Sequence, residues 1–174
     1  MNRRSWIILI TLHALCLLIV YVFQGMIFPH VRMVGFIPLL LPIVSTGIAV
    51  YEGCHAGGIA GLFSGILCDV SFNQPVGVFT VLLTLTGLFV GALVDSVVMR
   101  GFVVYMISCL VVLIISAFAQ MFPLLVFEDF AYAVLFRVAA RQTIFSFIFA
   151  LPIWFVVNSL GRRMQDLSAK ERPL

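Results

Sequence analysis

Residues 53–77 read G-C-H-A-G-G-I-A-G-L-F-S-G-I-L-C-D-V-S-F-N-Q-P-V-G. Glycine recurs at Gly53, Gly57, Gly61 and Gly65, and the next step of four lands on Asp69. Residues four apart stack on one face of an α-helix, so this segment carries a ridge of bare backbone ending in a carboxylate. In lipid, helices gain little from the hydrophobic effect, and close contact between small residues becomes a main source of association. The ridge is therefore expected to pack a helix or receive a partner.

The surroundings of that stretch are equally apolar. Of 174 residues, 63% are hydrophobic and 10% charged, with mean hydropathy +1.22. A soluble domain carries roughly a quarter charged residues and about half apolar ones. The length suits six membrane-spanning helices of about 20 residues each. A transmembrane β-barrel would show alternation in segments of about ten residues; runs such as L-V-V-L-I-I are unbroken. The expected fold is an all-α membrane protein, a six-transmembrane-helix bundle, with one domain over residues 1–161 and a short polar tail over 162–174.

Along the chain, a basic lead precedes a first span at residues 6–23, too long for a signal peptide and without a small-residue cleavage site. His13 within it reads as a bond to a neighbouring helix or the backbone, or as a proton relay. Residues 24–33 form a loop by their breakers. A second segment, 34–50, is interrupted by Pro38 and Pro42, either a kink at the start of a span or a broken helix lining a cavity. After Tyr51 and Glu52 comes the glycine helix, 53–70, and the turn 71–76. The fourth span, 77–98, repeats the pattern with Gly87, Gly91 and Asp95, as a weak internal repeat or as two independent packing faces. The fifth span is expected at 102–122, ended by Pro123, with 124–127 in the interface and Glu128 and Asp129 in an acidic loop. Arg137 and Arg141 precede a sixth span at 143–160, kinked by Pro152 and ended by Gly161.

Charge fixes the expected topology. Basic residues flanking spans stay cytoplasmic, and Arg3, Arg4, Arg162, Arg163, Lys170 and Arg172 occupy the two ends. Six spans place both termini and Arg100 inside, with Glu128 and Asp129 outside. The formal net charge of +3 is not gathered on one face, which argues against nucleic-acid binding.

Few residues offer chemistry. Intramembrane acids are candidates by default, yet Asp69 and Asp95 lie near span ends. Asp69 suits either backbone capping at the following turn or contact with a ligand or partner. Arg137 and Arg141, one turn apart, suit an ion pair with Glu128, Asp129 or Asp69, or headgroup contact by snorkelling. With Asn73 and Gln74, Asp69, Arg137 and Arg141 are the residues available to a cavity. Cys16, Cys54, Cys68 and Cys109 lack ligand spacing and read as small buried hydrophobes. No phosphate-binding loop, H-E-x-x-H or G-x-S-x-G occurs, so neither enzyme activity, metal nor cofactor is expected.

The proline-led second segment F-I-P-L-L-L-P, then G-L-F-S-G-I-L-C-D-V-S-F-N-Q-P-V-G at 61–77, resembles the bacterial rod shape-determining protein MreD family. Pro38, Gly61, Gly65, Asp69, Pro75 and Gly77 are the matching positions. The resemblance implies a non-enzymatic, multi-pass inner-membrane subunit of the cell-wall elongation machinery. It would work with MreC, and through it with MreB, RodA and a class B penicillin-binding protein, surrounded by membrane lipid, with a homodimer left open. That family also looks like the substrate-binding components of energy-coupling-factor transporters, which makes a vitamin-like small-molecule-binding subunit the alternative.

Overall fold

A computed structural model describes residues 3–27, 38–72, 77–97, 101–127 and 132–170, with side chains at 10–25, 38–71, 77–96, 101–120 and 136–159. Among the described residues six helices follow one another: α1 (Arg3–Ile27), α2 (Leu40–Glu52), α3 (Cys54–Phe72), α4 (Val78–Val97), α5 (Phe102–Phe127) and α6 (Tyr132–Lys170). Within α3, α4, α5 and α6 lie four stretches long and apolar enough to cross a membrane: Cys54–Ser71, Val78–Ser96, Phe102–Gln120 and Phe136–Ser159.

The sequence predicts six crossings, the second over 34–50, and α2 departs from that. Its 13 residues reach only about 20 Å at 1.5 Å per residue, against a hydrocarbon core of roughly 30 Å. The apolar stretch described in α1, Ile10–Gly25, is also shorter than a full span. The prolines explain where α2 starts. The first four N–H groups of a helix have no acceptor within it, so Pro42, in the first turn, forfeits no bond. Leu39, just ahead, donates its N–H to Ser146 Oγ at 2.9 Å. Ser146 sits near the middle of the apolar stretch of α6, so α2 begins halfway along its neighbour.

This short helix is the hub. It packs against every other helix, and all its residues from Leu40 to Val50 are buried. A helix apolar on all sides belongs in an interior. Its hydroxyls are satisfied within the helix: Ser45 Oγ and Thr46 Oγ1 both donate to the Pro42 carbonyl, at 3.0 and 2.7 Å. Around it, Leu39, Leu41 and Ile43 form one core with Phe79 and Leu83 of α4, Tyr105 and Leu113 of α5 and Ala150 of α6. Gly47 lets two of these helices approach, since a Cβ there would stand 3.1 Å from both Tyr105 and Val157. On the far side Leu17 of α1 joins Val44, Ile48 and Ala60.

Several expected boundaries move. Helix α5 continues through Pro123 to Phe127, and α6 is a single helix of 39 residues containing Arg137, Arg141, Pro152 and Gly161. A proline inside a helix removes one ladder bond, and longer apolar flanks on either side carry the helix on. A glycine costs about 1 kcal/mol relative to alanine in a helix interior, too little to end one alone. The tail expected after residue 161 is therefore helical to Lys170. Helix α1 likewise outruns its expected 6–23 at both ends.

Candidate functional site

The glycine ridge of α3 faces α4, and α4 answers with its own glycines. A Cβ on Gly61 would run into the Leu83 carbonyl, one on Gly65 into the Thr80 backbone, and one on Gly91 into Cys54. Gly57 and Gly87 face each other, a Cβ on either meeting the other's carbonyl oxygen. The pairs run in opposite directions along the two helices, which are therefore antiparallel and touch main chain to main chain. The two glycine patterns, which the sequence leaves open as a repeat or as separate faces, are the halves of one shared seam. Gly57 also lies against Ala49 of α2, so α3 folds back onto the hub.

Each end of this seam is closed by an aspartate from the opposite helix. Asp69, 7% exposed, accepts from the N–H groups of Gly77 at 3.0 Å, Phe79 at 2.9 Å and Thr80 at 3.1 Å, and from the Thr80 hydroxyl at 2.6 Å. Those donors are the orphan N–H groups at the start of α4. At the other end Cys54, the first residue of α3, donates its N–H to Asp95 Oδ2 at 2.9 Å. Helix α3 caps α4, and α4 caps α3.

The local sequence accounts for the arrangement. Neither helix has Ser, Thr, Asp or Asn immediately ahead of it; instead Gly53 and Gly77 stand there, with φ of 90° and 105°. Glycine enters this left-handed region without the Cβ penalty but offers no side-chain acceptor. At Gly53 a Cβ would stand 2.6 Å from the Asp95 carboxylate oxygens, so bareness is what admits the foreign cap. A carboxylate is suited to the place, because the N-terminus of a helix carries about half a positive charge and bonds to an ionised acceptor are the stronger kind.

Other expected site residues lie apart. Pro38 is fully buried two residues before α2. Arg137 and Arg141 are exposed on α6, while both Asp69 oxygens are engaged at α4. Asn73, Gln74, Pro75, Arg100, Glu128 and Asp129 lie outside the described residues, as do the side chains of the terminal basic residues. His13 Nε2 is 2.8 Å from Glu52 Oε1, joining α1 to α2; in the sequence Glu52 marks only a break between spans. Two cavities lined by described residues flank this pair, each of about 10 Å³. That is about one water, against several hundred Å³ for a small-molecule pocket. Among the described residues no group of three His, Cys, Asp or Glu is placed to hold a metal ion.

The capped glycine pair is where the chain's most specific sequence pattern and its closest packing coincide. No curated protein and no solved structure matches the chain. The family model described as rod shape-determining protein MreD matches residues 5–164. By that match over nearly its whole length, the chain belongs to the MreD family.

Proposed function

We propose that this MreD-family chain, a rod shape-determining membrane protein, acts as a non-catalytic scaffold of the cell-wall elongation machinery in the bacterial inner membrane. Its immediate partner is MreC, and MreB, RodA and a class B penicillin-binding protein are reached indirectly. Both termini face the cytoplasm, following the basic flanks at residues 3–4 and 162–172.

The observation that carries this reading is the α3–α4 pair. Backbone contact along two helices, with each end tied by a carboxylate, leaves that element little freedom to open or to admit a ligand. The element presents a fixed outer surface, the property a scaffold needs. The small-molecule alternative draws no support from the two water-sized cavities, and with no matching solved structure the likeness to transporter components adds no argument.

Co-purification tests the proposal. Tagged protein extracted in mild detergent should capture MreC from wild-type membranes, and Gly61→Leu should lose both capture and rod shape. Absence of MreC from a folded wild-type preparation would overturn the scaffold assignment.

A further inference from the structure

The contact between α1 and the hub differs in kind from the dry α3–α4 seam. Beside the apolar packing of Leu17 on Val44 and Ile48, it includes the polar His13–Glu52 pair and borders a gap between α1, α2 and α6. Glu52 accepts from His13 through Oε1, but its other oxygen, Oε2, is shut off from solvent and has no protein partner. A carboxylate oxygen in that condition keeps its desolvation penalty uncompensated. Beside it lies a cavity of about 10 Å³ walled by His13, Tyr51 and Glu52 on one side and by Cys16, Val44, Ile48 and Val157 on the other.

We infer that this gap binds one water molecule, which donates a hydrogen bond to Glu52 Oε2. Size and chemistry agree. A buried water needs about 10–15 Å³ and two to four polar neighbours; Glu52 Oε2 is one, and His13 and Tyr51 are the other polar residues on the wall. The neighbouring cavity makes the contrast. It has the same volume but, His13 aside, is walled by Ile10, Ala14, Leu17, Ala56, Ile59, Ala60 and Phe63, and apolar cavities of this kind stay empty. With water on Oε2 and His13 on Oε1, Glu52 holds α1 to the hub through a hydrated tie.

Two measurements on the full-length protein in detergent or nanodiscs test this. Infrared difference spectra between wild type and Glu52→Gln should show loss of an O–H stretch that shifts in heavy-oxygen water, the signature of an ordered water. Absence of an isotope-shifted O–H stretch would overturn the inference. Radiolytic hydroxyl labelling should modify Tyr51 well above Tyr21, which is half-buried like it. Filling the gap by Cys16→Met should cut Tyr51 labelling several-fold, with the helical circular dichroism unchanged. Tyr51 labelled no more than Tyr21 in wild type, or labelled equally in a folded Cys16→Met, would also overturn it. The wild-type labelling stands even if a variant does not fold.

Discussion

Gly57 and Gly87 occupy each other's side-chain space. The carbonyl oxygen of each lies where the other's Cβ would have to go, so neither tolerates even a methyl group without backbone movement. Overpacking of this kind costs typically about 1–3 kcal/mol. Gly57→Ala, Gly61→Ala and Gly87→Ala should each lower unfolding stability in detergent by about that amount. Gly25 is the internal control, since a Cβ added there would meet nothing within 4 Å. Gly25→Ala should be neutral, or stabilising by up to ~1 kcal/mol through helix propensity. Equal effects at Gly25 and Gly61 would show that the seam is not held by close approach.

The aspartate caps should be separable and nearly additive. Asp69→Ala strands three backbone donors and a hydroxyl, and unsatisfied buried donors cost about 1–3 kcal/mol. Asp69→Asn keeps one acceptor oxygen and should lose roughly half as much. Asp95→Ala removes the acceptor of the Cys54 N–H and should cost at least about 1 kcal/mol, the usual value of a helix cap. The caps sit at opposite ends of the pair, and distant sites add to within about 0.5 kcal/mol. A double variant far from that sum would show the two ends to be coupled through the seam.

The buried start of α2 depends on one hydroxyl. Ser146, fully buried, is the acceptor for the Leu39 N–H. Ser146→Ala should therefore destabilise by about 1–3 kcal/mol, the cost of an unpaired buried donor. Ser96 is an exposed serine whose hydroxyl bonds back to its own helix at Leu93, and Ser96→Ala should change stability by less than about 0.5 kcal/mol. Thermal or denaturant unfolding of the two variants decides the matter.

Much of this arrangement is legible in the residues, and the misses have physical causes. Period-four glycines ending in Asp69 and Asp95 mark both faces of the seam, because small residues at helical spacing have few other uses in lipid. That they face each other is not legible, since spacing within a helix says nothing about which neighbour it meets. One signal does point that way. The positions before α3 and α4 hold glycine in place of a capping side chain, so the orphan N–H groups need acceptors from elsewhere. Counting spans of equal length hides the hub role of α2. Pro38 and Pro42 look like interruptions in the sequence, whereas Pro42 falls in the first turn, where a missing N–H matters least. In α5 and α6, Pro123 and Gly161 have less power to stop a helix than their residue types suggest.

Because the seam lies inside the bundle, its variants should affect the partner only through the fold. Gly61→Ala, Gly61→Leu, Asp69→Asn and Asp69→Ala form a graded series in stability, with leucine the most severe because its extra atoms must also clear the Leu83 and Thr84 backbone. Capture of MreC from solubilised membranes should fall in the same order as the measured stabilities, and loss of rod shape should follow it. A destabilisation of about 1.4 kcal/mol shifts the folded-to-unfolded ratio tenfold, so a marginal membrane bundle has room for visible grading. A variant that abolishes capture while melting like wild type would move the partner's contact onto the glycines themselves. If all four variants instead fall on one line of capture against stability, the seam is the frame that holds the binding surface, and that surface lies on the bundle's exterior.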